Sequence, residues 1–401
     1  MVFNMLKEKD NSNTYCRICK NISKIQKKGI FYCIKLMLEK LVYYSGSFLK
    51  SIGNVLENIY AIFFPSRKCP DSLLAIYDFS INPYTFNFVE FLARAETFRV
   101  KYSLIYIDLV FVVDRNKMHR GDQPEVTDSN YRNWILNLAE CAEPFKSISS
   151  LSIFDNKHKF LSFYQKARHT HKIFPETGVI YKPQACYHLK QISDYYRVSG
   201  FVPKFEPSAL LLDWAEKYFM KNSYPFVPVV ILMRNLARFP GKNTNLNDWF
   251  GFMRLAIAEY PVKFFIVNDF WNPVEIPADL TERVVISAET TVSVKYRVAL
   301  AQKSAMVIGG MAGSTLCCIF SDTPYLIFGL NNVIFNAKFH IIEHGLNEDL
   351  HFPWVSKYQM MFPEYGDRDY IFSRFGKLYG LLIEDGLLIP RYFDSHNLLK
   401  N

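Results

Sequence analysis

No apolar stretch of about 18 residues runs through this chain without a charge, and a membrane-crossing helix needs that length. The nearest approach, residues 31–49, is interrupted by Lys35, Glu39 and Lys40. A transmembrane span is therefore not expected. The first ten residues also lack a secretory pattern, because Lys7, Glu8, Lys9 and Asp10 come early and no apolar core follows. There is no repeat of fixed period and no low-complexity tract, which excludes solenoids and fibrous arrays. The cysteines do not form a disulfide or zinc framework. Cys16 and Cys19 make one C-x-x-C pair near Cys33, but no second pair follows at finger spacing. Cys69, Cys141, Cys186, Cys317 and Cys318 are scattered, and the last two sit in an apolar run as core thiols. Thiols used this way in a long chain indicate a reduced, cytoplasmic setting.

What the chain does have is bulk. Its 401 residues are 50% hydrophobic, 16% aromatic and 21% charged, enough for two domains with their own cores. The net charge of +9 is uneven: residues 1–68 hold 12 Lys and Arg against 4 Asp and Glu. The rest is close to neutral, so nucleic acid is not an expected partner of the body. Within the basic arm, Ile52, Val55, Leu56, Ile59 and Phe63 fall at helical spacing on one face. That pattern has two readings. The arm lies on an anionic membrane surface, which would make the protein peripheral on the inner face, or it forms a helical hairpin packed on the body.

From residue 70 on, short apolar runs alternate with helical periodicity, the pattern of an α/β protein with mostly parallel sheets. The first half is expected to have strands at 73–77, 104–113 and 149–154. Its helices are expected from Pro83 to about Phe98 with Asn82 as N-cap, then at 131–142 and 157–168. The alternation continues less regularly through 179–181 and 184–197. Pro203 to Pro207 marks a linker. The second half is expected to run helix 208–220, strand 227–233, helix 247–259, strands 262–267 and 284–286, and helix 294–302. A late helix at 369–382 would close back on the first half. The expected organisation is a basic amphipathic helical arm (1–69), an N-terminal Rossmann-like domain (70–203), a C-terminal Rossmann-like domain (204–365) and a helical tail (366–401).

Residues 305–328 are the most informative. A short apolar run meets Gly309, Gly310 and Gly313, then Ser314 and Thr315 open an apolar stretch, and Asp322-Thr323-Pro324 ends it before another apolar run. This is a strand, glycine turn, helix and strand. Such a turn lets backbone N–H groups approach an anion closely, and a helix N-terminus adds donors and partial positive charge. An ordinary crossover with a tight turn would look similar. Two further strand ends carry suitable chemistry. Arg234 follows the strand at 227–233 and opens a loop holding Arg238 and Lys242; Asp269 follows the strand at 262–267. In open parallel sheets ligands bind at the carboxyl ends of strands. Arg and Lys there would neutralise a diphosphate, and an acid can accept from a ribose or base.

These residues resemble GT-B glycosyltransferases, specifically the fucosyltransferase-like superfamily. That family has an Arg after the first strand of the donor domain, as in Met233-Arg234-Asn235, and an acid at the end of a later strand, as in Asn268-Asp269-Phe270. It then has a strand, a small-residue turn and Ser or Thr, as in VIGGMAGST at 307–315. The loop and helix RFPGKNTNLNDWFGF (238–252) and the run TPYLIFG (323–329), which is similar to the heptosyltransferase pattern, extend the likeness over residues 227–328. One departure is Met233, where many fucosyltransferases have His; this separates the chain from a GDP-fucose pattern. The resemblance implies transfer of a sugar from a nucleotide-diphosphate donor to a glycan or lipid-linked acceptor, with the acceptor on the first half and the donor on the second. Arg234 would bind the diphosphate and stabilise the departing nucleotide, with Arg238 and Lys242 nearby. Gly310, Gly313, Ser314 and Thr315 would cradle phosphate, and Asp269 would read the base or ribose. No DxD-type metal motif is expected in the chain, which would suit a metal-independent GT-B enzyme, so neither metal nor cofactor is expected beyond the nucleotide sugar as co-substrate. Asp78, after the first strand, reads either as a catalytic base facing the cleft or as the cap of a turn before Asn82-Pro83. A nucleotide-sugar epimerase of the same architecture and a non-catalytic α/β binding protein are the alternatives. His169-Thr170-His171 reads as a metal pair or a polar helix end, and Asp349 with His351 to Trp354 as cleft lining or packing.

Overall fold

The structure is a computed structural model that describes residues 71–113, 123, 126–176, 189–234, 243–267, 274–287, 293–311, 313–331 and 337–388. The expectations for the basic arm, including Cys16, Cys19 and Cys33, lie outside these residues. So do the region 179–188 and the side chains of Arg238, Lys242 and Asp269. No helix among the described residues is long and apolar enough to cross a membrane.

The body is α/β, built on two parallel sheets of Rossmann type. The first half runs β1 (Ser72–Asp78), α1 (Asn87–Lys101), β2 (Tyr106–Val112), α2 (Tyr131–Glu140), β3 (Ile148–Phe154), α3 (Lys157–Ala167), β4 (Lys172–Phe174) and α4 (Lys190–Ser199). Its strand order is β3-β2-β1-β4, with every pair parallel. Leu73, Leu74, Ala75 and Tyr77 of β1 are all buried, on both faces, and this is why the strand reads as a continuous apolar run. Edge strand β3 differs. It carries an extra residue, Ser149, where its register with β2 shifts, and Leu151 and Ile153 remain 38% and 50% exposed.

The expected start of α1 is corrected. The helix begins at Asn87 with Phe86 in the N-cap position and no side-chain cap. Asn82 is instead buried in the turn after β1, where its Nδ2 donates to the Asp78 carbonyl at 3.0 Å. The Pro83 carbonyl accepts from the Tyr77 hydroxyl at 2.7 Å, and Phe79 stacks on Tyr84 at 4.4 Å. These contacts bind residues 79–84 to the aromatic core of the first half, so the helix starts one turn later than the Asn-Pro signal suggests.

The second half runs α5 (Ala209–Asn222), β5 (Val227–Leu232), α6 (Leu246–Glu259), β6 (Val262–Val267), β7 (Val284–Ile286), α7 (Val294–Lys303), β8 (Met306–Gly310), α8 (Leu316–Ile319), β9 (Tyr325–Phe328), α9 (Ala337–His344), β10 (Gln359–Met361) and α10 (Arg368–Glu384). The sheet order is β10-β9-β8-β5-β6-β7, again parallel throughout. The chain enters at the centre on β5, moves outward through β6 and β7, then crosses to the other side of β5 for β8. The direction of winding therefore reverses between β5 and β8, the place at which ligands bind in open parallel sheets.

The late helix α10 does not close back on the first half. Its buried residues Ile371, Phe375, Leu378, Tyr379 and Leu382 join the core of the second sheet with Phe252 and Phe264. The two halves meet elsewhere. Glu140, ending α2, accepts from the Ser293 hydroxyl at 2.6 Å and from the Val294 backbone N–H at 3.0 Å, so it caps α7 from the other half. A carboxylate at a helix N-terminus also meets the positive end of the helix dipole. Glu140→Ala is expected to lower stability by about 1–3 kcal/mol in urea unfolding; an unchanged midpoint would show that this cap contributes nothing.

Candidate functional site

At this reversal in the second sheet, Leu232 of β5 pairs with Gly309 of β8. The approach is close, since a Cβ on Gly309 would lie 2.9 Å from the Leu232 Cβ. Arg234 leaves β5 two residues later. Its backbone N–H donates to the Thr244 hydroxyl at 3.0 Å, and the Thr244 N–H returns a bond to the Arg234 carbonyl at 3.0 Å. This clamp closes the loop that carries Arg238 and Lys242. Asn245 then caps α6 by accepting from the Asn247 N–H at 3.2 Å. Arg234 is thus anchored by its backbone on one side of the reversal, and its side chain is half-buried.

On the other side, β8 ends at Gly310 and the chain turns through Gly313–Thr315 in a 3-10 turn. The helix that follows is shorter than the sequence suggests: α8 lasts only four residues, Leu316–Ile319. The Ser321 hydroxyl bonds the Cys318 carbonyl at 2.9 Å, and Gln359 holds the Ser321 and Thr323 carbonyls, so the chain is turned toward β9 at once. One helical turn carries little macrodipole. The anion chemistry of this turn therefore rests on its local N–H groups and on Ser314, which is partly exposed. Thr315 is buried beneath it, with its hydroxyl 3.9 Å from the Met311 sulfur.

The turn also touches the first half. A Cβ on Gly313 would lie 2.7 Å from the Cβ of Phe86, at the end of the loop that follows β1. The carboxyl edges of the two sheets meet through this contact. Gly313→Ala should therefore push the turn off Phe86 and cost about 1–3 kcal/mol, as overpacking does. Adding Phe86→Ala should recover part of the loss, a coupling readable in a double-mutant cycle of urea midpoints. Strict additivity would show that the contact carries no energy.

At the carboxyl end of β1, Asp78 is 3% exposed. Its Oδ1 accepts from the Ser80 N–H at 2.8 Å, closing the turn, and its Oδ2 accepts from Lys157 Nζ at 3.1 Å. Lys157 also reaches the Ser80 hydroxyl at 3.4 Å. The Tyr84 hydroxyl stands close enough to feel Asp78: burial pushes it well up, and the charges of Tyr131 and Asp78 push it further. Lys157 and Tyr84 were not legible as site residues. Lys157 opens a helix far along the chain, and Tyr84 reads as one more core aromatic.

Thus Arg234 follows the carboxyl end of β5, Gly310, Gly313 and Ser314 lie at the carboxyl end of the neighbouring strand β8 with Thr315 buried after them, and Asp78 ends β1 of the first sheet. β6 ends at Val267 on the same edge, just before the position of Asp269. Among the described residues no group of three or more His, Cys, Asp and Glu could hold a metal ion. His171 Nδ1 pairs locally with the Thr170 hydroxyl at 2.8 Å. One Asp-x-Asp spacing does occur, at Asp367 and Asp369, contrary to the expectation of none. Asp367 caps α10 through the Tyr370 N–H at 2.9 Å, and Asp369 accepts from Arg368 at 3.4 Å. Trp354 is packing: its indole N–H donates to the Ile319 carbonyl at 3.1 Å and its ring stacks on Phe352 and Phe320.

No protein-family model matches the chain, and no curated protein sequence matches it. Solved structures do. The chain is similar to a glycosyl transferase family 9 protein from Veillonella parvula at 10% identity and a TM-score of 0.42, covering 82% of this chain and 95% of that one. It is similar to the E. coli ADP-heptose lipopolysaccharide heptosyltransferase II at 9% identity and a TM-score of 0.46, covering 78% and 99%. It is also similar to the E. coli heptosyltransferase WaaC with ADP at 9% identity and a TM-score of 0.39, covering 77% and 99%.

Proposed function

We propose that this protein is a metal-independent glycosyltransferase of GT-B architecture that moves a sugar from a nucleotide-diphosphate donor to a glycan or lipid-linked acceptor. The observation that carries the proposal is that Arg234 and the glycine turn follow the carboxyl ends of two adjacent strands, β5 and β8, where the second sheet reverses its winding. A guanidinium on one wall and backbone donors with a hydroxyl on the other suit a diphosphate. Arg238 and Lys242 belong to the loop clamped between Arg234 and Thr244 and would add charge at the same end. Asp269 would accept from the ribose or base.

The reaction is displacement at the anomeric carbon. As the bond from sugar to phosphate breaks, negative charge grows on the diphosphate, and Arg234 meets it without reorganising. The acceptor would lie over the first sheet, near Asp78. For Asp78 to take the acceptor's proton, its Oδ2 must exchange Lys157 for the acceptor hydroxyl, and both groups sit at the end of β1 where an acceptor would enter. The test is release of free nucleotide diphosphate from a panel of nucleotide sugars, with and without candidate acceptors. Acceptor-dependent release supports transfer. Interconversion of sugars with the nucleotide retained would identify an epimerase instead, and no turnover or binding with any donor would overturn the proposal.

A further inference from the structure

The loop between β10 and α10 holds one side chain that the sequence does not single out. Residues 362–364 are tied to the chain just after β9. The Gly329 N–H donates to the Glu364 carbonyl at 2.9 Å, the Leu330 N–H to Phe362 at 3.2 Å and the Asn331 N–H to Pro363 at 2.8 Å. These bonds fix Tyr365, which follows. Its ring lies over the carboxyl ends of β8 and β9: a Cβ would stand 3.4 Å from it on Gly310 and 2.5 Å on Gly329. Gly329 also has a φ of 78°, so glycine is required there both for its backbone conformation and for room.

The Tyr365 hydroxyl oxygen is buried and has no hydrogen-bond partner among the described residues. A buried hydroxyl left without a partner is costly, and native proteins rarely keep one without a use. Burial raises its pKa, while the Arg234 guanidinium pulls it back down, so the hydroxyl and Arg234 share one electrostatic environment. An anion held by Arg234 would bring an acceptor oxygen to a donor that is already positioned.

We infer that Tyr365 is a donor-binding residue whose hydroxyl donates a hydrogen bond to a phosphate oxygen of the nucleoside diphosphate held by Arg234. The inference rests on the donor-site reading proposed above. It adds a third wall to that site, supplied by the loop after β10, and a neutral donor beside the charged one.

The test is Tyr365→Phe, which keeps the ring on Gly310 and Gly329 and removes only the hydroxyl. Titration calorimetry with ADP, GDP, UDP, CDP and TDP on the full chain compares the variant with the unmutated protein. For whichever of these binds the unmutated protein tightest, Tyr365→Phe should raise Kd about tenfold or more, the scale of a hydrogen bond to a charged group. The unligated melting temperature should stay the same or rise, because a partnerless buried hydroxyl has been removed. Equal affinity in the two proteins would overturn the role of Tyr365 and leave the donor site standing. A clear fall in the unligated melting temperature would show that the hydroxyl is already satisfied, and would overturn the inference too. If none of the five binds the unmutated protein, the donor-site reading itself fails and takes the inference with it.

Discussion

Replacing Arg234 with alanine is expected to lower the turnover rate about a hundred- to a thousand-fold, equivalent to roughly 3–4 kcal/mol of transition-state stabilisation. Donor affinity should fall far less. The guanidinium can bind two phosphate oxygens at once, and the charge on those oxygens grows as the sugar departs. An interaction that strengthens along the reaction appears in kcat more than in KM. The bonds between Arg234 and Thr244, at 3.0 Å in each direction, fix the backbone from which the guanidinium extends. Lys242→Ala should do less, because its flexible ammonium lies further along the loop. Steady-state kinetics of both variants with one donor decide the matter. Near-normal turnover with only a raised KM in Arg234→Ala would show that Arg234 merely holds the substrate.

Truncation before Asp367 is expected to unfold the second half, not to release a dispensable tail. The truncation removes α10, and with it Ile371, Phe375, Leu378, Tyr379 and Leu382, which are each 3% exposed or less. Burying one such side chain contributes about 1.5–3 kcal/mol, so the group supplies about 7–15 kcal/mol as an upper bound. That equals the whole stability of a typical domain, about 5–15 kcal/mol. Within that group the Phe375 ring lies 5.4 Å from Phe252 and 5.3 Å from Tyr260. Far-UV circular dichroism and solubility of the truncated chain test this. A truncated protein that melts at the original temperature would show that α10 is peripheral. The milder variant Phe375→Ala should still cost about 3–5 kcal/mol.

How far the sequence reaches can be judged from particular elements. β5 and β6 were legible because both faces are largely buried, which makes VPVVIL a continuous apolar run and leaves Lys263 as the single polar residue of VKFFIV. β4 and β10 were not, because each has three residues, and their strand character comes from pairing with β1 and β9. The apolar face of α10 was visible, yet nothing local says which sheet it covers. The same limit applies to the site. Arg234 and the glycine turn announce themselves by following apolar runs, so they could be named in advance. Tyr365 could not, because Pro363-Glu364-Tyr365-Gly366 carries the signature of any turn. Its meaning comes from Gly310 and Gly329, which the sheet brings beside it. Lys157 likewise acquires its role only when the first sheet sets α3 against Asp78.

The edge strand of the first sheet, β3, is a template on which a second strand could add at high concentration. β3 reads ISSLSIF, with no charge and no proline to discourage a passing strand. The extra residue at Ser149 kinks its start, and Asp108 occupies the hydroxyls of Ser149 and Ser150 at 2.8 and 2.7 Å, so that end is a poor template. From Leu151 onward the residues of β3 themselves supply no such guard. Crowding of purified protein would therefore first recruit Leu151 and Ile153 into sheet-edge adhesion between molecules, and a lysine at either position is the natural gatekeeper against it.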